Sequence, residues 1–478
     1  MSILGAMNTA VSGLTAQSAA LSNISDNVAN SQTVGFKAVE TSFSDYLTTS
    51  NAQVNDPGTV IAAPDYTNTV QGTITSSTNS LALAISGQGF FDVSQPTGTT
   101  STGATAFANQ QYYTRDGDFS LNANGYLTND AGQFLNGWVT DANGVLNKST
   151  VVPIQVSQAV YQPVATKNMT MAANLPAGLV STVAEDANGN VSAMYDSSGT
   201  QLPAIQSQAQ IYDAEGTAHT VTYTWSPQPS TTANANGDYP VNANTWLLSA
   251  SMDGQDLGEV TVNFSSNGTL VGCGQEVGGA VPAAGTGTAT PGGTLAGAAP
   301  TFSNATDGTI TYDTGLATGT GATQTITLNL GEIAGTNGVT QFSATSYTLR
   351  GLNQDGVPPG SFTSISMETS GNIYANYDNG QTRLIAQVPI ATFNDANALQ
   401  AQNGSAYTVT NASGTPSLQD AGSNGAGTLA TSSVESSNVD IASEFSKLIV
   451  AQNAYAANAK VVTTADQLLQ TTIGMLSV

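Results

Sequence analysis

Basic charge is nearly missing from this chain. Eight Lys and Arg stand against 32 Asp and Glu in 478 residues, for a net charge of −24. Charged residues make up 8% of the chain, where about 25% is usual. So few cations cannot form the basic stripe that nucleic acid requires, and an anionic membrane surface would repel the chain. Cysteine occurs once, at Cys273, which excludes an intrachain disulfide. Histidine occurs once, at His219, which excludes a His-rich or Cys/His metal centre. No run reaches the roughly 18 apolar residues of a membrane-spanning helix. The opening MSILGAMNTAVSGL has neither the basic start nor the unbroken apolar core of a secretory signal. A cytoplasmic protein is the simple inference. The Lys-poor, Ser/Thr/Asn/Gly-rich composition instead suits an extracellular surface, reached by a route that cleaves no signal.

Catalytic patterns are also lacking. A Ser-His-Asp triad would have to use His219, which lies in the alternating run TAHTVTYTW (217–225) and reads as a strand residue facing solvent or a neighbour. There is no P-loop and no dinucleotide fingerprint. GQGFFDV (87–93) runs into a strand rather than a helix, so it is no phosphate cradle. DANGN (186–190) starts like a calcium loop but lacks its Gly and its distant Glu; an ordinary turn is the plainer reading. Without a basic neighbour in sequence to lower its pKa, Cys273 reads as an inert thiol. A structural protein without metal or cofactor is expected.

Helical pattern is confined to the two ends. Leu4, Val11, Ser18 and Ser25 recur every seven residues, with Met7, Leu14, Leu21 and Val28 in the companion register. Near the other end, Ile441, Leu448, Tyr455, Val462, Leu469 and Leu476 occupy one heptad position. Phe445, Gln452, Ala459, Asp466 and Ile473 occupy the other, with Gln452 and Asp466 as polar members that fix register or partner number. The stretch SSNVD before this seam offers N-capping oxygens. Seams this long and narrow favour helix–helix packing, within or between subunits.

Between them lies a β-rich body. Asn-Gly or Asp-Gly pairs, which suit type I′ hairpin turns, occur fourteen times from Asp116-Gly117 to Asn424-Gly425 and nowhere outside that range. TAHTVTYTW, GTITY (308–312) and TQTITLNL (323–330) read as strands. The stretch 274–322 is Gly, Ala, Thr and Pro with few large side chains, and is expected to be a loop or loosely ordered insertion.

The stretch ANSQTVGFK (29–37) is similar to the N-terminal signature of the bacterial flagellar rod and hook family, A-N-x-x-T-x-G-F/Y-K. The helix before it resembles that family as well. So do LALAISGQGFFDV (81–93), YTRDGDFSLNANGYLTNDAGQFLNGW (113–138), GNIYANYDNGQTRLIAQVPIATFND (371–395) and the C-terminal 434–472. The long β insertion, with IYDAEGTAHTVTYTW (211–225), resembles the hook-type members rather than the shorter rod proteins.

The resemblance implies a multidomain, mainly β chain whose terminal helices form a coiled-coil-like inner domain around nested antiparallel β domains. The implied bounds are 1–30 plus 436–478 for the inner helices and 31–70 for a connecting segment. A middle β domain would cover 71–150 plus 346–435, and an outer β part 151–345. It implies a homopolymer of many copies, exported through the flagellar type III apparatus and adjoining a distal rod protein, a hook cap protein and a hook–filament junction protein. At the exit from the first helix, Gly35 is expected to allow a turn. Phe36 would anchor apolar packing, Asn30 and Thr33 would satisfy local backbone groups, and Lys37 would pair with an acidic neighbour in the assembly. Together with Leu4, Met7, Val11, Leu14, Leu21, Val28, Ile441, Phe445, Leu448, Tyr455, Val462, Leu469 and Ile473, these are the expected self-assembly residues. The rivals are a distal rod or hook-associated protein, set apart by the insertion, and an extracellular adhesin or calcium-dependent binding module.

Overall fold

A computed structural model describes residues 3–50, 55–99, 105–141, 144–185, 191–230, 232, 238–273, 303–304, 308–317 and 323–476. The chain is mainly β with a helix at each end: α1 is Ile3–Ala29 and α2 is Ile441–Leu476. Among the described residues no helix is long and apolar enough to cross a membrane. DANGN and most of the 274–322 stretch lie outside the described residues. Where that stretch is described, it is not a loop. Ser303–Asn304 and Thr309–Ala317 are paired strands, and Ile310 and Tyr312 are buried. The large side chains return near its end, and they are sufficient to seat a strand.

Two compact units divide the chain, Met1–Ala159 with Phe362–Val478, and Val160–Ser361. In the first, a sheet runs in the order Phe362–Met367, Asn372–Tyr377, Thr382–Gln387, Phe134–Val139, Phe90–Ser94, Tyr112–Thr114, Ala406–Thr408 and Gln400–Gln402, with shorter strands attached. Phe90–Ser94 is buried on both faces along its whole length. Phe91 and Val93 join the main core with Leu83, Ile85, Phe119 and Ile390. Phe90 joins a smaller cluster with Tyr113, Leu399 and Tyr407. A strand clasped on both faces reads as an unbroken apolar run, which is why FFDV does not alternate.

The second unit holds a sheet of Ile205–Tyr212, Ala218–Pro229, Tyr239–Met252 and Gln255–Phe264 in antiparallel succession, extended by shorter strands. Its alternation is plain: Val221, Tyr223 and Trp225 point into one core with Trp246, Leu248 and Val262. A second sheet contains Asn168–Asn174 paired parallel to Thr323–Asn329 and antiparallel to Thr348–Gln354. Thr348–Gln354, placed by sequence with the middle domain, therefore pairs inside this unit. Nothing in its side-chain pattern distinguishes the two possible homes.

Asp253-Gly254 turns with positive φ at both residues, 49° and 84°, as a type I′ hairpin requires. Asn136-Gly137 does not turn. It lies inside Phe134–Val139, where an added Cβ on Gly137 would sit 2.6 Å from Ile154 and 2.7 Å from the Gln387 carbonyl. That glycine serves close approach instead.

Candidate assembly site at the chain ends

α2 begins at a side-chain cap: Asp440 Oδ1 accepts from the amides of Ala442 (2.9 Å) and Ser443 (3.2 Å), satisfying donors the helix leaves open. The two helices pack together within the chain, α1 packs on the following hairpin as well, and most of the buried helical positions are small. On α1 the buried positions are Ala10, Ala16, Ala20, Ile24 and Asn27. Gly13 lies on the same face, so close that an added Cβ would sit 2.8 Å from Asn458 Nδ2. On α2 the buried positions are Glu444, Ala451 and Ala465.

The companion register expected for α2 is therefore displaced by one residue. Glu444, Ala451, Asn458 and Ala465 take the place of Phe445, Gln452, Ala459 and Asp466 on the packed side. Phe445 is 52% exposed and Ile473 64%. Leu448, Val462 and Leu469, in the other register, are half-buried, whereas Ile441 and Tyr455 are exposed. On α1, Met7, Leu14, Leu21 and Val28 are half-buried, and Val11, Ser18 and Ser25 are exposed; the side chains of Leu4 and Leu476 fall outside the description. Small residues let two backbones approach closely, which turns the larger apolar side chains outward. Ile449, Val450, Val461, Leu468 and Met475 are exposed along α2. Val461 and Leu468 line a shallow apolar groove with Ala6, Ala457 and Ala465.

A two-stranded hairpin follows α1, with β1 (Val39–Ser50) paired to β2 (Asn55–Tyr66). It is tied to the helix by Thr9 Oγ1 donating to the Gly58 carbonyl, by the Val60 amide donating to Ser12 Oγ and by Asn23 Nδ2 donating to Thr41 Oγ1. Asn27 is the node of this packing. Its Oδ1 accepts from the Val39 amide (2.9 Å), and its Nδ2 donates to Val39 O (3.0 Å) and to Glu444 Oε2 (3.1 Å). The buried Glu444 also takes Lys447 Nζ at 2.8 Å.

Between helix and hairpin the chain turns through 29–38. Asn30 reaches back to Asp26, and Thr33 Oγ1 donates to Asn30 Oδ1. Gly35 has φ +68°, with an added Cβ only 2.4 Å from the Asp116 amide nitrogen. Phe36 is half-buried. Lys37 finds its acidic partner in its own chain rather than in a neighbouring subunit. Its Nζ lies 2.5 Å from Glu435 Oε1 and 2.7 Å from the Val70 carbonyl. Glu435 Oε2 takes Arg115 Nη1 at 3.0 Å, and Oε1 also accepts from the Gly72 amide at 2.7 Å. The Glu435 carbonyl accepts from the Gly35 amide at 2.8 Å. Arg115 further donates to the carbonyls of Ile85 and Gly87. Lys37, Arg115 and Glu435 are almost wholly buried. Burial holds the pKa of both cations below the ordinary range, and the pull of Glu435 offsets that only in part. Beside them, Asn438 Oδ1 accepts from the Ala38 amide, and its Nδ2 donates to Thr67 Oγ1 and Val70 O.

Two of the eight cations in the chain thus converge on one carboxylate 398 and 320 positions away in sequence. Sequence reasoning missed Asn27, Arg115, Glu435, Asn438 and Glu444. The scarcity of basic residues was the available signal: each buried cation stands inside one of the family-like stretches, as do Glu435 and Asn438.

Four family models match the chain in order. They are described as flagella basal body rod protein over residues 7–37, flagellar hook protein FlgE/F/G D1 domain over 84–193, flagellar basal body protein FlaE D2 domain over 179–357, and flagellar basal body rod FlgEFG protein C-terminal over 430–475. Both helical ends and both β units thus fall within one class, the structural proteins of the flagellar rod and hook. The flagellar hook protein FlgE of Caulobacter vibrioides is 29% identical over 606 aligned residues, covering 98% of this chain and 99% of that protein. That of Brucella suis is 27% identical over 480 residues, covering 99% and 100%. A crystal structure of Helicobacter pylori flagellar hook protein FlgE2 aligns with 76% of this chain and all of its own at 14% identity, with a TM-score of 0.44. The chain belongs to the flagellar hook protein family.

Proposed function

We propose that many copies of this chain polymerise into the flagellar hook, a curved flexible tube outside the cell that transmits torque from rod to filament. The observation that carries this reading is the division of labour on α2. Small residues close it against α1, and Ile449, Val450, Val461, Leu468 and Met475 are left exposed on a long helix. A row of apolar side chains exposed along one helix marks a protein contact, and a second copy supplies the same surface. No reaction is catalysed in this reading. The chain leaves the cell unfolded through the flagellar type III export apparatus. The assembled tube adjoins the distal rod protein, the hook cap protein and the hook–filament junction protein. A distal rod or hook-associated role is disfavoured, because the hook proteins it resembles match it from end to end.

The test is the double substitution Val461→Asp with Leu468→Asp. The side chains are 45% and 53% exposed, so the isolated chain should keep its circular dichroism and most of its melting temperature. Tube formation, followed by electron microscopy, should be lost. Normal tubes from the double variant would refute the proposal.

A further inference from the structure

The one histidine of the chain stands between two carboxylates. His219 is the second residue of the strand Ala218–Pro229. Its Nδ1 lies 2.7 Å from Asp253 Oδ2, and its Nε2 lies 3.4 Å from Asp213 Oδ2. The two aspartates sit in different turns. Asp213 opens the turn between Ile205–Tyr212 and Ala218–Pro229, accepting from the Thr217 amide. Asp253 is the first residue of the Asp253-Gly254 turn between Tyr239–Met252 and Gln255–Phe264, where its φ of 49° is the left-handed conformation that non-glycine residues resist. Its Oδ1 accepts from the Thr220 amide at 3.0 Å.

Proton counting fixes the state of the ring. An ionised carboxylate only accepts hydrogen bonds, and a neutral imidazole carries one N–H and one lone pair. With a carboxylate oxygen facing each ring nitrogen, a neutral ring would set a lone pair against an anion on one side. Only the imidazolium donates to both. We propose that His219 is held as an imidazolium and acts as a proton-dependent clasp between these two hairpin turns.

Among the described residues, the charges acting on the ring are those two aspartates. Burial lowers the His219 pKa, and the two aspartates together outweigh it, so the pKa is raised above 6.5. Both carboxylates are correspondingly held below their ordinary range, burial being outweighed by the His219 bond together with the Thr217 amide at Asp213 and the Thr220 amide at Asp253. For a histidine whose folded pKa is raised, the stabilisation is complete below the unfolded value near 6.5 and is lost as pH rises through the folded value. The clasp is therefore closed below about pH 6.5 and opens as the pH rises through the folded value above it. When it opens, Asp253 loses a partner at a strained turn.

Because the chain has a single histidine, its titration can be read without assignment. The full chain, labelled with ¹³C and ¹⁵N histidine and kept monomeric, would be followed by NMR from pH 5 to 10. The expected result is one titration with its midpoint above 6.5 and both ring nitrogens protonated at pH 6.5. Asp253→Asn should lower the midpoint, and Asp213→Asn should lower it less, as its longer distance implies. A wild-type midpoint at or below 6.5, or a neutral ring at pH 6.5, would overturn the proposal without recourse to any variant. An unchanged midpoint in a folded Asp253→Asn chain would overturn it as well. Failure of this test would leave the hook assignment untouched.

Discussion

Replacing Glu435 by Gln tests whether the buried cluster at the helix exit is held by charge balance. In the folded chain Lys37 and Arg115 share one carboxylate, so the cluster carries one cation in surplus. Glu435→Gln leaves two buried cations without an anion and turns an N–H₂ toward one of them. Breaking a buried pair in this way costs about 3–5 kcal/mol. Lys37→Met removes the surplus cation instead and leaves Arg115 and Glu435 paired one to one. The other groups Lys37 touches keep partners: Val70 O retains Asn438 Nδ2, and Glu435 Oε1 retains the Gly72 amide. That substitution should cost about 1 kcal/mol, the worth of an ordinary hydrogen bond. Hydrogen exchange of the peptides containing Gly35 and Gly72 reports the opening directly, because both amides donate to Glu435. At about 1.4 kcal/mol per tenfold, Glu435→Gln should speed their exchange by a factor on the order of 10² or more, and Lys37→Met by roughly tenfold or less. If Lys37→Met opened these amides as much as Glu435→Gln does, the charge-balance argument would be wrong, and Lys37 would be held for its packing.

Two further outcomes follow from the same unit. Gly35→Ala should destabilise it by about 2–4 kcal/mol, adding left-handed strain to a backbone clash at the Asp116 amide. Gly13→Ala should stay within about 1 kcal/mol, because its Cβ meets only the flexible end of Asn458; equal losses in urea titrations of the two variants would contradict this. Asp92 is fully buried with Oδ2 unpartnered, and burial raises its pKa to about 6, the bond from Asn136 offsetting that only in part. The folded state then holds a proton that the unfolded chain releases above about 3.8, so this residue's penalty grows as pH rises from 3.8 through 6. Asp92→Asn should therefore stabilise the chain by about 1–3 kcal/mol at pH 8 and by little near pH 4. Some slope should persist, since burial also raises Asp116 to about 6. An equal effect of the substitution at both pH values would contradict the assignment.

What the sequence shows of this molecule and what it hides have a common physical origin. Periodicity reveals elements that bury large side chains on one face. Val221, Tyr223 and Trp225 alternate, and their strand is read correctly. The helices at both ends are equally plain from their apolar repeat. The buried face of those helices is hidden, because Ala10, Gly13, Ala16, Ala451 and Ala465 give little hydrophobic signal. A seam drawn through the largest residues instead places Phe445 and Ile473 on the inside, where the structure has them exposed. The hidden face also lacks stabilising area, since a buried Ala removes far less apolar surface from water than a Leu does. The polar ties of Glu435 and Asn438, and that between Asn27 and Glu444, are hidden for another reason: the partners lie hundreds of residues apart, and no local pattern encodes them. The two omissions are linked. A helix pair closed by small residues has little burial of its own to hold it, and these buried polar groups fasten it at the exit, where α1 gives way to the hairpin. The large apolar residues are thereby released from internal packing and remain on the surface of α2. A chain that had used them for its own core would fold more tightly alone and offer less to a second copy.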